Sequence, residues 1–117
     1  MKKTKMLKKN YEFRKVLNKG KYFSGKNIEA FILKNDVNVN FLGLAIGTKI
    51  GHAFKRNKLK RLLRENYKEI EPFIYDGYSI VFMIKKKSDI ENITFQTVKE
   101  DVKYILRKSD ILKGENE

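Results

Sequence analysis

The residues best suited to chemistry crowd into one stretch of this chain. It reads Gly47-Thr48-Lys49-Ile50-Gly51-His52-Ala53-Phe54-Lys55-Arg56-Asn57-Lys58-Leu59-Lys60-Arg61-Leu62-Leu63-Arg64-Glu65, and six of the ten residues from 55 to 64 are basic, none acidic. Such a run binds phosphate: the ammonium of Lys is a point charge, and the guanidinium of Arg is a planar fork that grips two oxygens at once. On a helical projection Asn57, Arg61, Arg64 and Lys68 line up opposite Leu59, Leu62, Leu63, Tyr67 and Ile70, with Lys58 and Lys60 on the flanks. Like charges three and four residues apart weaken a helix, and a phosphate backbone along the row would reverse that penalty. A merely solvated face is the plainer reading of a basic helix, but no Glu interrupts the row before position 65. Arg56 projects beside the apolar stripe, where its guanidinium suits stacking on a base or bridging back to the sheet.

Acid–base or nucleophilic catalysis by side chains finds no support. There is no Ser/His/Asp set and no paired carboxylate in a polar context. The single histidine, His52, has no partner, and a neutral polar role beside a helix start suits it better than metal binding. Cys is absent, which removes disulfides and thiolate metal sites. The expectation is that no residue is catalytic and none is a firm metal ligand. Charge over the whole chain points the same way as the basic run. Residues 1–64 hold 18 basic and 3 acidic side chains, a net of +15, whereas residues 65–117 hold 9 and 11, a net of −2. Excess of one sign in one half implies a polyanionic partner, nucleic acid before an anionic membrane surface.

The elements that must position these residues are legible from periodicity. With 117 residues and 14 aromatics the chain builds one core and one domain, 1–117. Residues 1–9, with five lysines and no acid, read as a mobile basic arm, and 110–117 as a flexible tail. A short helix over 11–18, capped by Asn10, puts Phe13, Val16 and Leu17 on one side. Strands are expected at 27–34 and 41–49, with a weak one near 21–24. In the second, Leu42, Leu44 and Ile46 share one face; Phe41, Gly43, Ala45 and Gly47 share the other, small enough to admit a packed element or a ligand. The basic helix runs from about 53 to 70 and stops at Pro72. A buried strand follows at 78–84, then a helix from about 94 to 108 with Thr94 as cap and Phe95, Val98, Val102, Ile105 and Leu106 on one face. The order α-β-β-β-α-β-α gives an α+β two-layer sandwich with one central sheet. No apolar run nears the roughly 18 residues of a membrane span, and the start lacks the apolar core of a signal peptide. A cytoplasmic location is the expectation.

The stretch from Lys49 to Glu65 resembles the signature of the bacterial ribonuclease P protein family, typically K-x-G-N-A-x-x-R-N-R-x-K-R-x-x-R-E on a helix after a strand. The resemblance extends to the Lys-rich start, the early Phe-bearing helix and the order of strands and helices. This sequence departs from the pattern at His52, where Asn is usual, at Lys58, where Arg is usual, and at Thr48, where Lys is common. The resemblance implies a left-handed β-α-β crossover, against the general right-handed rule, in the second-domain fold of a small-subunit ribosomal protein. It also implies the protein subunit of a ribonucleoprotein that cuts precursor tRNA, with the chemistry carried by RNA and Mg²⁺. Two RNA contacts follow. Lys49, Lys55, Arg56, Asn57, Lys58, Lys60, Arg61, Arg64 and Lys68 would bind the catalytic RNA. Phe13, Leu17, Phe31 and Arg56 would line a cleft for the single-stranded 5′ leader, Leu17 standing where another aromatic is often found. Asn57, beside concentrated phosphate, is a candidate for ordering a metal-bound water. The subunit is expected to be monomeric in a 1:1 ribonucleoprotein, with no membrane and no DNA partner.

Three other readings compete. A ribosomal or other basic RNA-binding protein shares the composition and lacks only the signature. A helix-turn-helix DNA reader is disfavoured by the β-rich surroundings. A membrane-surface helix is disfavoured because the apolar stripe is narrow and needed for the core.

Overall fold

The computed structural model describes residues 3–114. The chain runs β1 (Thr4–Met6), α1 (Asn10–Lys19), β2 (Lys21–Ser24), β3 (Ile28–Lys34), β4 (Asn40–Leu44), α2 (Ala53–Ile70), β5 (Tyr78–Ile84) and α3 (Phe95–Lys108). The five strands form one mixed sheet in the order β1-β4-β5-β3-β2. β4 and β5 are parallel neighbours joined through α2, and β5 pairs antiparallel with β3.

Alternation along the strands divides the sheet into two faces. Ile28, Ala30 and Ile32 of β3, Leu42 of β4, and Ile80, Phe82 and Ile84 of β5 meet α2 and α3 in the main core. These two helices and the sheet form the expected sandwich. The apolar stripe of α2 is buried as the projection requires, from Leu59 to Ile70. Thr94 caps α3 by accepting from the Thr97 N–H at 3.2 Å. Asp101 on α3 is buried and accepts from the backbone N–H groups of Lys26, Asn27 and Ile28 at 2.8–3.0 Å, fastening the helix to the turn between β2 and β3. A Cβ at Gly25 would lie 2.5 Å from that carboxylate, so the turn needs a glycine there.

On the opposite face lie Phe31 and Leu33, Phe41 and Ala45, and Val81 and Met83, gathered with Leu7, Phe13, Val16 and Leu17 into a second, smaller cluster. Helix α1 lies across this face. The Glu12 carboxylate closes its first turn, accepting from the N–H groups of Lys9 (2.8 Å) and Lys8 (3.0 Å). Those bonds, the Lys9 bond first, hold its pKa below the ordinary carboxylate value.

Four expectations need correction. The arm expected at 1–9 is ordered from Thr4: β1 pairs parallel with β4, and Thr4 is buried with its hydroxyl 2.8 Å from Tyr67 Oη. Residues 1 and 2 lie outside the described residues. The tail expected from 110 is docked as far as Lys113, with Ile111 buried, Leu112 bridged to Ile74, and the Lys113 N–H donating to Phe73 O at 2.7 Å. Residues 115–117 lie outside the described residues. The strand expected at 41–49 stops at Leu44 and gives way to a 3₁₀ turn at Thr48–Ile50. Helix α1 starts at Asn10, with Lys9 rather than Asn10 in the cap position.

Candidate nucleic-acid interface

Helix α2 presents the cation row as an exposed edge. Asn57, Lys58, Arg61, Arg64 and Lys68 are exposed, Lys60 is half-buried, and the opposite face is sealed into the core. Lys49 is exposed on the 3₁₀ turn before the helix. Two cations of the set have local employment. Lys55 is ion-paired with Glu91, which ties α2 to the short turn at Ile90–Asn92. Arg56 is half-buried, and its Nη1 donates to the Gly51 carbonyl at 2.7 Å. That bond braces the turn into α2 with one of the five guanidinium donors. His52 occupies the cap position of α2, exposed, with no side-chain cap bond. Asn66 lies within the apolar stripe, buried, its amide donating to Leu62 O (3.0 Å) and Phe95 O (3.2 Å).

The second surface is the sheet face that α1 only partly covers. Phe13, Leu17 and Phe31 come together there, each half-buried. The small residue at Gly43 admits a packed element: a Cβ there would sit 2.5 Å from Phe13 Cε1 and 3.0 Å from Leu7 Cδ1. Phe13 is thus anchored over β4. Tyr22, half exposed, was missed by sequence reasoning. Its cross-strand pairing with Phe31 places both rings on this face, 5.3 Å apart and tilted by 54°. The Tyr22 hydroxyl donates to Glu29 Oε2 at 2.6 Å, and that bond raises its pKa above the ordinary value. Only the register of β2 against β3 reveals this pair. Lys5 of β1 pairs with Phe41, which turns one N-terminal lysine toward the same face.

The exposed cations of α2 and the partly open aromatic face thus belong to elements packed on opposite faces of the sheet. Among the described residues there is no cluster of three or more His, Cys, Asp or Glu able to hold a metal. Asn57 offers one neutral amide oxygen in a row of cations, whereas Mg²⁺ seeks six oxygens with one or two carboxylates among them. The residues present do not fit a protein-held Mg²⁺.

A sequence profile of the ribonuclease P family matches residues 1–110. A ribonuclease P protein component of Clostridioides difficile is 37% identical over 109 residues, 92% of this chain and 94% of that one. One from Natranaerobius thermophilus is 34% identical over 106 residues, covering 91% and 90%. Among solved structures, the RNase P protein from Thermotoga maritima matches with a TM-score of 0.80 at 29% identity, covering 89% of this chain and 96% of that one. The Staphylococcus aureus RNase P protein shares the fold, with a TM-score of 0.81 at 23% identity over 92% and 97%. With the signature helix, the sheet order and the relatives in agreement over nine-tenths of the chain, this protein belongs to the ribonuclease P protein family.

Proposed function

We propose that this chain is the protein subunit of ribonuclease P, binding the catalytic RNA along α2 and the single-stranded 5′ leader of precursor tRNA between α1 and the sheet. One observation carries the reading. A helix with one face buried in the core presents Arg61, Arg64 and Lys68 in a row on the other, with no acid between residues 55 and 64. The leader reading is supported by Phe13, Phe31 and Tyr22 on the partly open face, since aromatic rings grip single strands of any sequence at roughly 1–3 kcal/mol per stacked base. Leu17 offers apolar contact in place of a ring. The protein's part is to screen phosphate repulsion and position the leader; the hydrolytic chemistry and its Mg²⁺ belong to the RNA. A 1:1 particle in the cytoplasm completes the proposal.

The test is cleavage of precursor tRNA by bacterial ribonuclease P RNA at low Mg²⁺, with and without the purified chain. Enhanced cleavage is expected. RNA binding without enhancement would favour the basic RNA-binding alternative, and preference for duplex DNA would revive the DNA reader. Asn57→Ala is expected to leave the Mg²⁺ requirement of the holoenzyme unchanged, and a raised requirement would restore the metal role of that amide.

A further inference from the structure

We infer that Phe54 is a stacking platform for one unpaired base of the catalytic RNA, a contact that the basic signature does not assign. This rests on the proposed function and adds a residue to its larger surface. Phe54 is 76% exposed, more than any other large hydrophobic side chain among the described residues. A single exposed apolar residue is ordinary on a protein surface; its place on the helix is what sets this one apart. Phe54 lies three and four residues before Asn57 and Lys58, and seven before Arg61. It therefore heads the cation row, about 10 Å along the axis from Arg61. Every residue on that face for the next two turns is polar or cationic and exposed. A phosphate backbone following the row would carry its bases past the ring.

The surroundings of the ring favour a base over a second protein. Phe54 borders a shallow notch of about 50 Å³ walled by Lys58, Leu59, Ile90 and Ile93, with the Lys55–Glu91 ion pair at its rim. The notch is too small to enclose a base or to seat a protein's anchoring side chain fully. What remains is the outer face of an exposed aromatic ring beside a small apolar notch, with Lys55 and Lys58 lining the same notch. An unpaired base meets both demands: its π-face stacks on the ring and its phosphates take the flanking charges. A duplex, with its bases already stacked inside, would leave the ring in water.

The experiment measures affinity for ribonuclease P RNA, without precursor tRNA, for the wild-type chain and for Phe54→Ala, Phe54→Leu and Phe54→Trp. Phe54→Ala is expected to weaken binding about 5- to 150-fold while the slope of log affinity against log salt stays the same, because no phosphate contact is lost. Phe54→Trp should bind as the wild type does, and Phe54→Leu should resemble Phe54→Ala. One unpaired nucleotide shielded from a base-modifying reagent by the wild type should react in the Phe54→Ala complex. An unchanged melting temperature would confirm that the fold is intact. Wild-type affinity in Phe54→Ala would overturn the inference, as would rescue by Phe54→Leu, which would mean plain apolar contact. In a companion measurement of precursor-tRNA affinity by the assembled holoenzyme, a loss there with unchanged affinity for the RNA alone would move the base to the substrate and overturn the assignment to the catalytic RNA. Failure of the wild-type chain to bind the RNA at all would instead reject the functional reading itself.

Discussion

At the residue scale, the two surfaces depend on a few side chains whose roles follow from contact. Gly43 is the clearest. Its missing Cβ leaves room for the Phe13 ring, so Gly43→Ala must push α1 off the sheet. Overpacking of this kind costs about 1–3 kcal/mol, and a denaturant titration should show it, together with weaker leader binding. Unchanged stability would mean that α1 shifts freely and that Phe13 is no fixed platform. Tyr67 supplies a pH test. Burial pushes its hydroxyl up to about 12 from an ordinary value near 10, with the Thr4 hydrogen bond opposing the rise. Below about pH 10 both folded and unfolded chains keep the proton, and the stabilisation is fully present. Between about pH 10 and 12 only the unfolded chain releases it, so stability falls through that window. Tyr67→Phe should remove this part of the alkaline loss in denaturation curves taken across the window. An identical loss in that variant would show that Tyr67 keeps an ordinary affinity for its proton. Phe13, Leu17 and Phe31 could be named from the sequence because helix and strand spacing set their faces. Tyr22 could not, since only the pairing of β2 with β3 brings it beside Phe31. Arg56 illustrates another limit: spacing placed it beside the apolar stripe, but its bond to Gly51 O depends on the path of the preceding turn.

At the element scale, α2 was the most legible part of the chain. Its eighteen residues carry an apolar stripe broken only by the buried Asn66 and an opposite polar face, with a proline just past the C-terminal end. The strand from residue 41 was read beyond Leu44 because Ala45 and Ile46 continue its alternation. The backbone leaves the sheet there for the 3₁₀ turn that feeds α2. β1 was missed because three residues in a lysine-rich segment leave no periodic signal, and its pairing with β4 is a contact about 36 residues away in sequence. The short turn at Ile90–Asn92 carries no periodic signal either. Glu91 neutralises Lys55 at the edge of the row. Glu91→Gln should release that cation toward RNA and steepen the salt dependence of binding by up to one contact, about 0.7–0.9 in log–log slope. An unaltered slope would leave Lys55 outside the interface.

At the scale of the whole molecule, the sheet separates two layers, and α2 links the core of one to the charged surface. Its buried side packs with α3 and the sheet into one core, while its exposed side concentrates charge from the basic half of the chain. The charge imbalance is plain in the order of residues alone, and the fold explains its distribution. β1, α1 and all but the last turns of α2 come from the half carrying +15, whereas α3 and the chain around it come from the half carrying −2. Self-repulsion in the basic half destabilises the free protein, and a polyanion would relieve it. The most direct measurement is therefore the affinity of the intact chain for ribonuclease P RNA across a range of salt concentrations, for the wild type and for the double variant Arg61→Ala plus Arg64→Ala. Two lost phosphate contacts should make the log–log slope shallower by about 1.4–1.8 and weaken assembly at physiological salt. A double variant with the wild-type slope would contradict the placement of RNA along α2.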